Sequence, residues 1–223
     1  MIKYCLPIIE DSKEKVLTRI SENPDYDFYE IWLAYTKDLD TDFVWKISEK
    51  FNGKLIFLFR KQNLEKTDLE KDLKEKIIKL LENSDNLLDL DIKDQKEELD
   101  FVRENKLGNK LIVSYHNYDK TPELEEIINE IEKFDFSIIK IACFCNEPED
   151  SIKLLQILLK LKRGGKKYIV LGMGDQGKIV RIYGALWGNA MNFAPTNKDE
   201  RSAPGQITKK QLEEILERIE NAG

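Results

Sequence analysis

The chain has 223 residues, a formal net charge of −6, and a composition that is 41% hydrophobic and 35% charged. This length can bury one substantial core, so we expect a single domain over residues 1–223. The acidic balance disfavours nucleic acid as a partner, because phosphate binding needs clustered Lys and Arg in excess. No stretch approaches the roughly 18 uninterrupted apolar residues that cross a bilayer, and residues 1–9 are too short for a signal peptide. We therefore expect no membrane association and a cytoplasmic location.

Short apolar runs alternate with segments of helical spacing along the whole chain. The predicted strands are residues 4–9, 28–34, 54–59, 86–92, 110–114, 136–142, 167–172 and 189–193. The predicted helices are residues 12–22, 42–51, 69–82, 93–105, 122–133, 148–162, 177–187 and 208–219. Eight such repeats are typical of an α/β (β/α)8 TIM barrel. A doubly wound open sheet is the alternative, but its glycine-rich first turn is missing from residues 9–12.

Polar or ionisable side chains occur near the carboxyl ends of several predicted strands. In chain order they are Glu30 and Trp32 on one side of the second strand, Arg60, Asp91, His116 and Lys140, with Met173 on the seventh strand. In a (β/α)8 barrel these strand ends converge on one face, where active sites lie. Because burying an unpaired charge is costly, the pattern indicates a polar pocket.

His116 and Lys140 are the strongest candidates for chemistry. His116 is the only histidine of the chain, and the unperturbed pKa of an imidazole lies near neutrality. Lys140 lies among apolar neighbours, where burial would lower its pKa and favour the neutral, nucleophilic amine. A structural histidine and a lysine that faces solvent are the alternatives for each residue alone. A base and an amine on neighbouring strands together favour imine chemistry.

Four sequence blocks carry a resemblance to a known family. They are residues 112–122 (IVSYHNYDKTP), residues 139–142 (IKIA), Gly172-Met-Gly174 followed by Gly177 and Arg181, and residues 202–207 (SAPGQI). In this order they resemble type I 3-dehydroquinate dehydratase over essentially the whole chain. The resemblance implies a Schiff-base lyase of the shikimate pathway that uses neither a metal nor an organic cofactor. It also implies a homodimer and the substrate 3-dehydroquinate, which is converted to 3-dehydroshikimate and water.

The resemblance assigns the reaction to two residues. Lys140 would attack the C3 ketone and form an iminium, which acts as an electron sink and acidifies the C2 hydrogen. His116 would remove that proton and then protonate the departing C1 hydroxyl.

The resemblance also implies which residues bind the substrate. Arg181 would hold the carboxylate. Ser202 and Gln206, on the loop after the eighth strand, would contact the carboxylate or its neighbouring hydroxyl, and residues 195–205 of this loop are a plausible lid. Glu30 and Arg60 would hydrogen-bond the ring hydroxyls, and we expect them to pair with each other when no ligand is bound.

Two positions depart from the family pattern. Asp91 stands where the family usually has a glutamate that orients the catalytic imidazole, and the shorter side chain leaves open whether it reaches His116 directly or through a water. Trp32 stands where many relatives have an arginine in a Glu-x-Arg unit. The missing guanidinium would weaken hydroxyl recognition or shift it to Arg60, or else the predicted register of this strand is off by about one residue. Trp32 itself would either line the pocket or pack in the core.

Other interpretations remain for several features. Met173 would line the pocket, although the loop of residues 172–174 could instead hold phosphate. A Schiff-base aldolase acting on a sugar phosphate would share the barrel and the lysine, and a non-catalytic barrel could serve as a binding module. Cys5, Cys143 and Cys145 make a poor metal set, so we expect reduced, buried thiols. The alternating Lys and Glu residues of 64–76 suggest heat adaptation.

Overall fold

The computed structural model describes residues 1–222 and contains eight parallel strands that alternate with eight α-helices. The strands are β1 (Tyr4–Ile8), β2 (Phe28–Trp32), β3 (Leu55–Leu58), β4 (Leu87–Asp91), β5 (Leu111–Asn117), β6 (Ile138–Phe144), β7 (Tyr168–Met173) and β8 (Asn192–Phe193). The helices are α1 (Lys13–Glu22), α2 (Thr41–Lys50), α3 (Lys71–Leu80), α4 (Lys96–Glu104), α5 (Glu125–Ile131), α6 (Pro148–Arg163), α7 (Lys178–Trp187) and α8 (Lys209–Glu220). Every predicted strand and helix overlaps an observed one, so the predicted fold class is confirmed.

The strands form one curved sheet in the order β7-β6-β5-β4-β3-β2-β1-β8. Between β7 and β8 the barrel is held together by the side chain of Asn189 and the backbone of Ala190. The Asn189 amide accepts from Val170 N at 2.9 Å and donates to Val170 O at 3.1 Å, and Ala190 N donates to Tyr168 O at 2.8 Å. These bonds replace a strand ladder and leave a nearly closed (β/α)8 barrel.

Side-chain alternation along each strand divides the buried residues into two cores. In β5, Leu111, Val113 and Tyr115 face outward and pack against the helices, in the larger core. Ile112 faces inward and belongs to the small core inside the barrel. Ser114 and His116 lie on the same inward face of β5 as Ile112, because alternate residues of a strand share a face. The alternation itself therefore places the histidine inside the barrel.

The ends of several elements differ by a few residues from the prediction. The strand predicted at residues 28–34 ends at Trp32, because Leu33–Tyr35 form a 3-10 turn that carries the chain away from the barrel. The last strand is shorter than residues 189–193, because Asn189 is used as the bridge to β7. Among residues 1–222 the longest helix is α6, with 16 residues, and within that range no helix is apolar and long enough to span a membrane.

Candidate active site

A cavity lies where the carboxyl ends of the strands converge, with about 370 Å³ of empty space that includes its opening to solvent. Its walls come from five strands, the segments after β3 and β5, α7 and the loop between β8 and α8. The lining residues are Glu30, Trp32, Arg60, His116, Tyr118, Lys140, Ala142, Leu171, Met173, Arg181, Phe193, Ser202, Ala203 and Gln206. The structure therefore brings together every pocket residue predicted from the sequence. Asp91 lies behind His116, as described below.

The Lys140 side chain is buried and is surrounded by two carboxylates and an aromatic ring. Its Nζ donates to Asp89 Oδ2 at 2.7 Å and to Glu30 Oε1 at 3.1 Å, and it lies 4.2 Å from the centroid of the Phe193 ring. Burial alone would lower the pKa of Lys140, but the charges of Asp89 and Glu30 outweigh burial and raise it. The predicted lowering of the Lys140 pKa is therefore wrong, because two carboxylates in contact with Nζ favour the ammonium ion.

Asp89 is the central anion of the site, and the sequence analysis missed it. Its carboxylate accepts from Arg60 Nη1 and Nη2 at 2.8 and 3.1 Å, from Ser114 Oγ at 2.6 Å, and from Lys140 Nζ. Burial alone would raise the pKa of Asp89, but Arg60 and Lys140 hold it well below its usual range. The signal was present in the sequence, because Asp89 and Asp91 are two residues apart on one strand and so share a face.

The expected pairing of Glu30 with Arg60 is wrong. Arg60 binds Asp89 in a bidentate pair, and Glu30 binds Lys140 instead. A planar guanidinium matches a carboxylate through two parallel hydrogen bonds. Asp89 offers that geometry on the adjacent strand β4. The charges of the two buried cations, Arg60 and Lys140, are balanced by those of the two buried anions, Asp89 and Glu30.

His116 makes direct contact with Asp91. Asp91 Oδ2 accepts from the backbone N of His116 at 2.9 Å and lies 2.9 Å from its Nδ1, so the shorter acidic side chain reaches the imidazole without a bridging water. Burial lowers the pKa of His116, and the nearby Arg60 lowers it further, which together outweigh Asp91. The imidazole is therefore neutral near pH 7. With Nδ1–H donated to Asp91, Nε2 carries the lone pair that faces the cavity, 3.4 Å from Arg60 Nη2.

Trp32 forms part of the cavity wall rather than of a core behind it. Its Nε1 donates to Glu30 Oε2 at 2.9 Å, and its ring lies 5.8 Å from the Arg60 guanidinium. The indole thus occupies the inward face of β2 together with Glu30, in the register that the sequence analysis used.

Arg181 enters the cavity from α7 with its positive charge uncompensated. Only 4% of the residue is exposed, and among residues 1–222 its Nε and Nη1 atoms have no hydrogen-bond partner. Burial lowers the pKa of Arg181 to about 10, which leaves it charged at neutral pH. Unpaired buried donors on a cation are costly, so the position is suited to an anionic ligand.

The approach of α7 depends on two glycines. A Cβ on Gly172 would lie 2.5 Å from Gly177 Cα, and a Cβ on Gly177 would lie 2.4 Å from Gly172 C. Neither position accepts a side chain without displacing backbone. This close contact between the end of β7 and the start of α7 sets the position of Arg181.

The loop between β8 and α8, which includes residues 195–205, borders the cavity through Ser202, Ala203 and Gln206. Gln206 Oε1 accepts from Ser202 N at 2.8 Å, and Gln206 Nε2 donates to Ser202 Oγ at 2.9 Å. Pro204 O accepts from Gly174 N at 3.3 Å and joins the loop to the end of β7. Both predicted ligand-binding residues are therefore buried and held by each other above the cavity.

The comparisons with known proteins agree with this geometry. A family model described as type I 3-dehydroquinase matches residues 4–222. The chain belongs to the type I 3-dehydroquinase family. A 3-dehydroquinate dehydratase of Methanococcus maripaludis strain C6 is 33% identical over 225 residues, which cover 97% of this chain and 99% of that protein. A 3-dehydroquinate dehydratase of Methanocaldococcus jannaschii is 29% identical over 219 residues, 95% of this chain and 96% of the relative.

Solved structures show the same barrel. The type I 3-dehydroquinate dehydratase of Clostridium difficile, solved with covalently modified comenic acid, matches with a TM-score of 0.80 and 24% identity and covers 100% of this chain and 93% of that one. The enzyme of Geobacillus kaustophilus gives a TM-score of 0.78 at 24% identity, over 99% of this chain and 91% of that chain. The family and the hydro-lyase class predicted from the sequence are thus confirmed.

Tyr118 is the polar residue among the five lining residues that were not predicted from the sequence; the others are Ala142, Leu171, Phe193 and Ala203. The Tyr118 ring lies 6.4 Å from the His116 ring at an interplanar angle of 16°, so it forms the wall beside the base. Burial raises the pKa of Tyr118, which keeps its hydroxyl protonated. Its position two residues after His116, within the block 112–122, was the available signal.

Proposed function

We propose that the protein dehydrates 3-dehydroquinate to 3-dehydroshikimate, as a step of the shikimate pathway, through an imine formed on Lys140. The observation that carries the proposal is that Lys140 and His116, from adjacent strands, face one cavity together with the uncompensated guanidinium of Arg181. An amine, a base and an anion-binding group are the three parts that this reaction on a keto acid needs.

The first step joins Lys140 to the C3 ketone. Overall, the ammonium ion and the ketone give an iminium ion and one water. Two protons from the nitrogen and the ketone oxygen form that water, and the positive charge stays on the nitrogen. Asp89 and Glu30 lie 2.7 and 3.1 Å from that nitrogen, where they stabilise the cation before and after condensation. Their contribution therefore extends beyond the ammonium ion to the iminium that acidifies the C2 hydrogen.

The second step is the elimination. The neutral imidazole of His116 takes the C2 proton on Nε2, and the electron pair of the broken C–H bond moves toward the iminium nitrogen. The imidazolium then gives the proton to the C1 hydroxyl, which departs as water and regenerates the conjugated iminium. Asp91 accepts Nδ1–H throughout and keeps Nε2 directed into the cavity. Hydrolysis of that iminium releases the product and returns Lys140.

The remaining pocket residues would bind and orient the substrate. Arg181 would pair with the carboxylate, and Ser202 and Gln206 would hydrogen-bond it from the loop above. Glu30 and Arg60 would contact the ring hydroxyls, and Trp32 would support both through its contacts with Glu30 and Arg60. Met173 would form part of the apolar wall.

Trapping with borohydride tests the imine. We expect wild-type protein incubated with 3-dehydroquinate and borohydride to gain the mass of a reduced adduct on the peptide that contains Lys140, and to form an enone that absorbs in the ultraviolet. Lys140→Ala should show neither. Turnover of a sugar phosphate without any enone from 3-dehydroquinate would instead favour the aldolase alternative. An adduct in Lys140→Ala would refute the assignment of this lysine.

His116→Ala separates the two steps. The variant keeps Lys140, so we expect the borohydride adduct to form slowly while elimination nearly stops. Rapid turnover by this variant would remove His116 from the mechanism.

The homodimer implied by the resemblance and the cytoplasmic location expected from the composition stay predictions. Sedimentation velocity of the purified protein tests the dimer, and cell fractionation tests the location.

A further inference from the structure

We propose that Gln62 is a positioning residue that holds the loop carrying Ser202 and Gln206 closed over the carboxylate of the substrate. This proposal rests on the proposed function, since it concerns how that same cavity retains its ligand. Gln62 lies after β3, remote in sequence from the loop of residues 195–205, and contacts neither Lys140 nor His116 among its hydrogen bonds in residues 1–222.

The carboxamide of Gln62 joins the two loops directly. Its Nε2 donates to the backbone carbonyl of Ser202 at 3.1 Å and to that of Arg201 at 3.4 Å. Ser202 in turn is held to Gln206 through both its backbone N and its Oγ. The Gln62 carboxamide therefore anchors Ser202, and Ser202 in turn holds Gln206, the second residue of this loop that is predicted to bind the substrate.

Gln62 is itself held in place by the surrounding loops. Its backbone N donates to the Tyr35 hydroxyl at 3.1 Å, and the Tyr35 ring lies 6.3 Å from the ring of Trp32 on the cavity wall. A chain of contacts thus runs from the cavity wall at β2 to the loop that closes the cavity.

The next two residues adopt a conformation that is unusual for side-chain-bearing residues. Asn63 has φ of 54° and Leu64 has φ of 58°, in the left-handed region that glycine favours. Strained backbone of this kind persists where surrounding contacts hold it and concentrates at functional sites. Immediately before this segment, the Gln62 carboxamide bonds to residues 201–202.

The hydrogen bonds of Gln62 would therefore help the cavity to retain its ligand and would not affect the chemical steps. A neutral hydrogen bond contributes modestly to free energy, and its loss from the closed loop corresponds to about a three- to tenfold weaker retention of the substrate. The reacting atoms at Lys140 and His116 are unaffected. The expected signature is therefore a change of KM with little change of kcat.

Steady-state kinetics on three variants test this role. Gln62→Ala removes the donor, and Gln62→Glu keeps the length of the side chain but places carboxylate oxygens against two carbonyl acceptors. We expect both to raise the KM for 3-dehydroquinate about three- to tenfold, with kcat within about twofold of wild type. Hydrogen exchange should become faster in the peptide that contains residues 201–206.

Gln211→Ala is the matched control. Gln211 belongs to the capping box of α8 with Thr208, so its loss lowers the midpoint of thermal unfolding without removing any contact to Ser202. We expect its KM to equal that of wild type. An unchanged KM in both Gln62 variants, in an otherwise active protein, would overturn the proposal, as would an equal rise of KM in Gln211→Ala. If wild-type protein forms no enone and no adduct, it is the proposed function that fails.

Discussion

Asp89→Asn is the substitution that tests the charge arrangement of the site most directly. The change keeps the size of the side chain and removes one negative charge from a fully buried position. Arg60 and Lys140, both buried, then lose the anion that accepts their hydrogen bonds at 2.7 to 3.1 Å. The amide nitrogen of asparagine would also face donors instead of acceptors.

The magnitude follows from the burial of all three groups. Breaking a buried ion pair by neutralising one partner costs about 3–5 kcal/mol, because the remaining charge is left uncompensated. Glu30 still accepts from Lys140, which limits the loss at that cation. Among residues 1–222, Arg60 keeps no anionic partner within ion-pair distance: besides the neutral amide oxygen it has only the carbonyl of residue 89 and His116 Nε2, both at 3.4 Å, and the Trp32 ring. We therefore expect a loss of about 3 kcal/mol in the free energy of unfolding.

Urea denaturation at pH 7 measures this loss, with Asp100→Asn as the control. Asp100 makes an exposed ion pair with Arg103 on α4, and exposed pairs contribute little. A loss for Asp89→Asn no larger than that for Asp100→Asn would refute the view that Asp89 compensates the buried cations.

The contribution of Asp89 to the free energy of unfolding should also depend on pH. The pKa of Asp89 is lower in the folded protein than in the unfolded chain, so its stabilising contribution is present above the unfolded value of about 3.9 and declines as the pH falls below it. The difference in unfolding free energy between wild type and Asp89→Asn should therefore stay constant near neutrality and shrink in acid.

Three further measurements address other parts of the site. Arg181→Ala should raise KM about 10- to 100-fold with a smaller effect on kcat, because a charge-assisted bond to the carboxylate is lost; an unchanged KM would contradict this. The acidic limb of the kcat/KM profile should lie below pH 6.5, since the pKa of His116 is lowered in the free enzyme, and Asp91→Asn should move that limb further down. Gly172→Ala should cost about 1–3 kcal/mol of unfolding free energy, because its Cβ would meet Gly177 Cα at 2.5 Å. Calorimetry showing an unchanged unfolding temperature would count against that packing.

The sequence supported the site prediction where local rules were sufficient. Strand and helix periods separate clearly in this chain, and alternation along β5 and β6 directs His116 and Lys140 inward whatever the neighbouring elements do. In a barrel of parallel strands, side chains near the carboxyl ends then share one face. Glu30 and Arg60 were placed in the cavity by the same rule, and Arg181, which lies on a helix, by the family resemblance alone.

The periodicity of single strands could not predict which carboxylate pairs with Lys140 or with Arg60. Which carboxylate meets Lys140 depends on the strand stagger and on side-chain reach across the barrel, so Asp89 went unnoticed and Arg60 was paired with the wrong acid. The protonation state followed from the partners: burial alone favours a neutral Lys140, whereas two carboxylates within 3.1 Å favour the ammonium. The direct bond from Asp91 to His116 likewise depends on the spacing of β4 and β5.

By itself, then, the amino-acid sequence determined the order of strands and helices and the inward face of each strand, because these follow from periodicities of two and 3.6 residues. Arg181, Ser202 and Gln206 were predicted for the cavity from the family resemblance alone. The tertiary structure alone decided which anion neutralises which cation, how the loop after β8 is held by Gln62, and why Arg181 Nε and Nη1 have no hydrogen-bond partner among residues 1–222. Electrostatic energies change steeply with distance and burial, and both are set by the packing of elements far apart in the chain.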